Sequence, residues 1–330
     1  SRVRIVDVAD ALGLSTATVS NVIHGKTGKI SDETVKRVQQ ELEKTGYIPN
    51  MAGILLARNN SRIIGVVVND HPKYEGRVLE DGFVMSSLNA LSHEVNKKGY
   101  FLMIKTTTDI NEIIVFASMW NMDGLILMGF CEANYEKLRN QMRISFVVYD
   151  GYFDKSSKFV IDNYDGGYKA GEYFKKLGHK KALCISDNYI CMDKERIDGF
   201  CKAFAPGETV IWQIPNTKKE RVQFYRDKFL ELSMLGITGV FAVSDYYALD
   251  FMQFLQGKGV QIPKDLQIIG MDDSMASRES IPALTTINQD ADLRAKTAIE
   301  CIEDMREGRD FGTRVVLPVK LIKRESTRKL

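Results

Sequence analysis

Several acidic and hydroxyl side chains follow short apolar runs. Asp150 comes after Phe146–Tyr149, Ser244 and Asp245 after Val240–Val243, and Asp272 after Leu266–Met271. Such runs are expected as buried strands, and ligands of open α/β sheets bind beyond the carboxyl ends of their strands. Arg196 lies on the helix expected after Ala182–Ile185. Carboxylates and a guanidinium fork hold several hydroxyls at once, which suits a sugar or similar polyol. Taken singly, each residue is also open to reading as a loop N-cap or a surface ion pair.

A second group has the types and spacing to meet DNA. Val8 to Ile23 reads as two short helices with a turn at Gly13, a residue free to take positive φ. Val8, Ala11 and Leu12 share one face of the first helix, and Ser15 is placed to cap the second. In that second helix Val19, Val22 and Ile23 face inward, which leaves Ala17, Thr18, Ser20 and Asn21 outward beside Thr16. Small polar residues on the free face of a short helix fit a major groove. A helical hairpin with no DNA role is the alternative reading. A third helix opens at Ser31, with Asp32 and Glu33 at its positive end and Ile30 and Val35 at staple spacing. Val35, Val38 and Leu42 then close a three-helix core, and Gly46 ends it.

Other chemistries are missing from the sequence. There is no GxGxxG after a strand, no Walker loop, no GxSxG and no HExxH. His24, His71, His93 and His179 are scattered, and the cysteines at 131, 184, 191, 201 and 301 form no CxxC pair. No enzyme activity, metal or cofactor is expected, and the thiols read as free ones in a reducing cytosol. No apolar run reaches the ~18 residues of a membrane span, and no signal peptide is evident, so a cytoplasmic protein is expected.

The elements that must position these residues follow from pattern. The chain has 330 residues with a net charge of +2, so its bulk charge does not mark a nucleic-acid binder. Residues 1–60 carry eight basic and six acidic side chains, and phosphate contacts would depend on where these sit. From Arg62 onward apolar runs (Ile63–Val68, Phe101–Lys105, Gly124–Met128, Phe146–Tyr149, Ala182–Ile185, Val240–Val243, Leu266–Met271) alternate with helical stretches such as Val84–Lys98, Tyr168–Leu177 and Tyr246–Gln256. That alternation predicts α/β architecture with parallel sheets covered on both faces, with strands enough for two lobes. His71–Glu80 interrupts the pattern after the first run and is expected to rim or lid a cleft. Trp212, inside an apolar run, is expected in the core, and His179 as a structural residue after a helix end.

Asp7-Val8-Ala9, Gly13-Leu14-Ser15, Ala17-Thr18-Val19-Ser20 and Gly46-Tyr47-Ile48-Pro49-Asn50 resemble the DNA-binding headpiece of the lac repressor/galactose repressor family. The resemblance runs through Asp162-Asn163-Tyr164, Leu177-Gly178-His179-Lys180, Glu195-Arg196-Ile197-Asp198-Gly199-Phe200, Gly270-Met271-Asp272-Asp273, Pro282–Thr286 and Arg324–Thr327. It implies an all-α helix-turn-helix headpiece (1–46), a hinge helix (47–60) and a two-lobed periplasmic-binding-protein-like core (61–330). The first lobe would hold about 61–160 and 291–319, and the second about 161–290 and 320–330. The chain would cross between them near Val160–Asp162, Ile287–Asp290 and Pro318–Leu321.

The resemblance also implies a homodimeric transcription regulator, most simply a repressor of carbohydrate-use genes, bound to pseudo-palindromic operator DNA and answering to a small-molecule effector. By family position, Arg196 touches the effector, Phe83 is a pocket aromatic, and Leu56 wedges into the minor groove at the centre of the operator. A plain linker is the alternative for the hinge. Two further readings belong to other classes: a solute-binding protein, and a regulator driven mainly by a protein partner. Three positions depart from the family pattern. Ser244-Asp245 stands where Asn-Asp is common, Gly53 where Ala is usual, and Asn21 where Arg is usual; a second pocket aromatic has no evident match.

The last departure carries a prediction. Arg most often reads guanine, whereas Asn matches the paired donor and acceptor of adenine. Selection from random duplexes should return an A·T pair opposite Asn21, and a strongly preferred guanine there would contradict this reading.

Overall fold

The computed structural model describes residues 3–48, 61–130, 135–149, 159–309 and 315–330. The expected hinge helix, with Gly53 and Leu56, and the candidate Asp150 lie outside these residues. Two compact units divide at Ser61 and Arg62.

The first unit contains α1 (Ile5–Leu12), α2 (Thr16–Ile23) and α3 (Asp32–Thr45). Local chemistry sets its corners. Gly13 and Gly46 take φ of 64° and 59°, each ending a helix in the left-handed region. Ser15 and Ser31 cap α2 and α3 by accepting from the Thr18 and Thr34 amides at 3.1 and 3.3 Å. Val8, Ala9, Val19, Val22 and Val38 are buried where the three helices meet. Ala9 takes the inner place on α1 that spacing gave to Ala11, which is exposed.

The second unit is built on two parallel sheets. β1 (Ile63–Val68), β2 (Phe101–Thr106), β3 (Gly124–Met128) and β4 (Phe146–Val148) form the first, in the order β2-β1-β3-β4. Between its strands run two 3₁₀ turns (Pro72–Tyr74 and Val78–Glu80), α4 (Gly82–Lys97), α5 (Ile110–Met119) and α6 (Tyr135–Gln141). All of β1 is buried, as its unbroken apolar sequence requires of a central strand. A short parallel pair follows, β5 (Phe159–Ile161) with β11 (Val315–Leu317).

The second large sheet takes β6 (Lys181–Ser186), β7 (Glu208–Gln213), β8 (Gly239–Ala242), β9 (Gln267–Asp272), β10 (Thr285–Asn288) and β12 (Lys320–Ile322), in the order β12-β10-β9-β8-β6-β7. Only β12 runs antiparallel to its neighbour among the described pairs. Around it lie α7 (Asn163–Leu177), α8 (Cys191–Phe204), α9 (Lys218–Leu235), α10 (Asp245–Gly257) and α11 (Met275–Glu279), while α12 (Ala291–Arg306) packs on α4 beside the first sheet. Trp212 is buried against Phe224 and Phe251, and His179 is buried with its ring 4.5 Å from that of Phe174.

Helices α7 and α8 approach more closely than side chains allow. A Cβ on Gly167 would lie 1.8 Å from the Arg196 carbonyl oxygen, and one on Gly199 would lie 2.1 Å from that of Tyr164. Gly167→Ala must push backbone apart, so it should cost about 3 kcal/mol in urea unfolding, at the upper end of overpacking. Gly257→Ala, at the end of α10 with nothing within 4 Å, should instead stabilise by up to about 1 kcal/mol. Equal effects from the two would contradict this account of the contact.

Candidate functional site

Two surfaces gather the residues expected to bind, one in each unit. On α2, Thr16, Ala17 and Asn21 are exposed, and Thr18 and Ser20 are half-buried. The Thr18 hydroxyl lies 2.9 Å from that of Ser15, which ties it to the N-cap. The open face of the helix is therefore Thr16-Ala17-Asn21.

In the second unit a cavity of about 350 Å³ lies beyond the carboxyl ends of β1, β3, β6, β8 and β9. Both sheets contribute: Phe83, Asp81 and Asn69 come from one side, and Arg196, Ser244, Asp272 and Tyr247 from the other. The expected Phe83, Arg196, Ser244 and Asp272 thus meet at one place. Asp245 is a correction. Its carboxylate turns inward, accepting from the Ser274 amide at 2.8 Å and the Thr286 hydroxyl at 2.6 Å, and it is 1% exposed. The next strand's loop needs an acceptor there, so Asp245 builds the wall and does not line the cavity.

Arg196 is held from three sides. Its Nε donates to Asn163 at the start of α7 (2.9 Å), and one terminal nitrogen donates to the Val243 carbonyl at the end of β8 (2.7 Å). The same nitrogen lies 3.8 Å from Asp193, one turn earlier on α8. A buried guanidinium with these partners is a fixed donor at the cavity wall.

Asp272 sits in strained backbone, at φ 130°, followed by Asp273 at 56°. Its carboxylate accepts from Gln289 at 2.5 Å and from the Asp245 amide at 3.3 Å. Burial, and then the Asp245 charge beside it, push its pKa well up. Gln289 also accepts from the buried Arg294, whose guanidinium lies 4.9 Å from the Phe83 ring centre and 5.2 Å from that of Tyr149. That chain links the floor of the cavity to α4 and α12.

Residues outside the expected set also line the cavity: Asp187, Asp193, Asp81, Lys73 and Tyr247. Asp187 directly follows β6 and was open to the same strand-end rule. Asp193 precedes Arg196 by three residues, helical spacing for an ion pair. Burial raises the Asp81 and Asp193 carboxyls, partly offset by Lys73 for both and by Arg196 for Asp193. His71 is lowered, first by burial and then by Lys73, and its Nδ1 accepts from the Lys73 amide at 3.2 Å.

No group of His, Cys, Asp and Glu among the described residues could hold a metal ion, and no described helix is long and apolar enough to cross a membrane.

A helix-turn-helix unit joined to an α/β unit with a ligand-sized cavity between two sheets is the architecture of a DNA-binding regulator. Residues 4–50 match the family described as bacterial regulatory proteins, lacI family, and residues 172–327 match the periplasmic binding protein-like domain. By these matches the chain carries a lacI-family DNA-binding domain and a periplasmic-binding-protein-like domain; it is a DNA-binding transcription regulator and not an enzyme. It is 27% identical over 342 residues to the HTH-type transcriptional repressor PurR of Vibrio cholerae serotype O1, covering 99% of this chain and 98% of that one. Its fold is similar to the lac repressor dimer bound to operator and the anti-inducer ONPF (TM-score 0.83, 21% identity, 99% of each chain). It is also similar to a LacI family transcriptional regulator from Enterococcus faecium with bound ribose (TM-score 0.67, 26% identity, 81% of this chain and 99% of that one).

Because the folded Asp272 holds its proton above the ordinary carboxylate range, its contribution to stability is greatest at low pH. It falls as pH rises from about 4 through the raised folded value. Asp272→Asn removes the titration, so the gap in unfolding free energy between variant and parent should move in the variant's favour from pH 4 to pH 8. A gap that stays constant with pH would contradict the shift.

Proposed function

We propose that the chain is a homodimeric cytoplasmic repressor of carbohydrate-use genes, released from or fixed on its operator by a sugar bound in the cavity between the two sheets. The observation that carries this reading is the lining of that cavity. Carboxyls, a fixed guanidinium, amides and a serine hydroxyl supply both donors and acceptors, and Phe83 offers a ring face. Hydroxyl groups both donate and accept, and the C–H faces of a sugar pack on aromatic rings.

In this reading Phe83, Arg196, Ser244 and Asp272 contact the effector, with Asp150 completing the set. Thr16, Ala17, Thr18, Ser20 and Asn21 present the major-groove face. Paired hinge helices carry Leu56 into the minor groove of a pseudo-palindromic duplex. The Enterococcus faecium regulator with ribose and the repressor PurR support the effector class and the sign of regulation respectively. Ligand in the cavity changes how the two sheets close on each other, and that change alters the spacing of the DNA-binding units in a dimer.

A thermal-shift panel of neutral mono- and disaccharides tests the effector class. A true effector at 100 times its Kd should add about 2.7 kcal/mol of stability. A panel in which no sugar shifts unfolding would overturn the sugar reading.

A further inference from the structure

The segment 71–80, inserted between β1 and α4, does more than border the cavity. It spans to the other side of the cavity and grips the start of α10. The Tyr246 hydroxyl donates to the Lys73 carbonyl at 3.1 Å, and the Tyr74 ring meets the Tyr246 ring edge-on at 5.7 Å. Tyr246 is itself braced by Arg221, which is fully buried, donates to its hydroxyl at 3.2 Å and pairs with Asp250 at 2.8 Å. The two sides also touch near the start of α4, where a Cβ on Gly82 would lie 2.8 Å from that of Ser274.

Two groups beneath this strap lack a hydrogen-bond partner among the described residues. The Tyr247 side chain is 0% exposed and lines the cavity, and its hydroxyl has no hydrogen bond. A buried hydroxyl without a partner is costly, so such groups in a ligand cavity point to a missing ligand atom. Beside it, the Lys73 ammonium lies 4.9 Å from the Tyr74 ring centre and 5.3 Å from that of Tyr247. Among the described residues it makes these cation-π contacts and no hydrogen bond or ion pair, leaving three N–H donors.

We propose that the 71–80 strap is a clasp between the two sides of the cavity and carries its own ligand subsite, in which Lys73 Nζ and Tyr247 Oη bind a hydroxyl of an uncharged polyol. This rests on the sugar reading above and narrows it. Burial disfavours the Lys73 charge and the carboxyls of Asp187, Asp193 and Asp81 favour it, with the balance on the side of the ammonium. A cationic ligand would meet that ammonium and Arg196. An anionic one, such as a sugar phosphate or sugar acid, would add negative charge beside Asp81, Asp187 and Asp193, which already face the Lys73 ammonium. A hydroxyl accepts from Lys73 and donates to a neighbouring carboxylate, and it meets no like charge.

Calorimetric titration of the full chain tests this with neutral sugars, their 6-phosphates, the uronic acids and the 2-amino sugars as probes. The parent should bind a neutral sugar and bind its charged relatives at least about tenfold more weakly, the loss expected for one unmatched charged hydrogen bond. Lys73→Met and Tyr247→Phe should each weaken the neutral sugar by about tenfold or more. Tyr247→Phe should also leave the ligand-free unfolding midpoint unchanged or higher, because it removes an unpartnered buried hydroxyl. A structural role would lower that midpoint. Tyr246→Phe, which cuts the hydrogen bond between the two sides, should speed sugar dissociation. Parental affinity in both Lys73→Met and Tyr247→Phe would overturn the subsite and leave the sugar reading standing. Tighter binding of a phosphorylated, acidic or amino sugar would overturn the uncharged class. No binding by any neutral sugar would overturn both readings.

Discussion

A guanidinium can be buried only where fixed acceptors replace its water, and Arg196 meets that condition by tying together three elements. Its partners are the first residue of α7, the carbonyl that ends β8, and Asp193 on its own helix. The arrangement needs α7 and α8 to lie almost backbone to backbone, which Gly167, Gly171 and Gly199 permit. The position of the strongest donor in the cavity is therefore set by a helix contact outside it. Breaking that contact would disturb fold and site together.

The other side of the balance is an excess of carboxyls held in low-dielectric surroundings. Asp245 and Asp272 lie close enough to raise each other's cost of ionisation, and both are satisfied by amides and hydroxyls. From Asp272 the interactions run through Gln289 to Arg294 and the rings of Phe83 and Tyr149. A ligand that engages Asp272 thus bears on side chains from both sheets. That is the physical route by which occupancy of the cavity can bias how the two sides close.

Much of this was legible in the sequence because it is local. Ser15, Ser31, Gly13 and Gly46 act within one turn of their own positions, and β1 shows its depth as six apolar residues in a row. Elements at sheet margins were harder to read. β7 has a single buried residue, Trp212, among exposed and half-buried ones, and β12 has three residues, so neither carries the signature of a buried strand. The strand-end rule located Ser244 and Asp272 but misjudged Asp245, whose orientation depends on a loop about thirty residues away. Lys73 and Tyr247 were beyond sequence reasoning, since each matters through a contact made across the cavity.

The central claim is that ligand binding in the cavity and operator binding by the helix-turn-helix unit are one coupled equilibrium. Its most direct test is a closed binding cycle on the full chain. Affinity for an operator duplex obtained by selection is measured with and without saturating sugar, and affinity for the sugar is measured with and without saturating operator. The account predicts that both ratios differ from one by about fivefold or more and equal each other, as linkage requires. A sugar that binds the cavity tightly yet leaves operator affinity unchanged would contradict it.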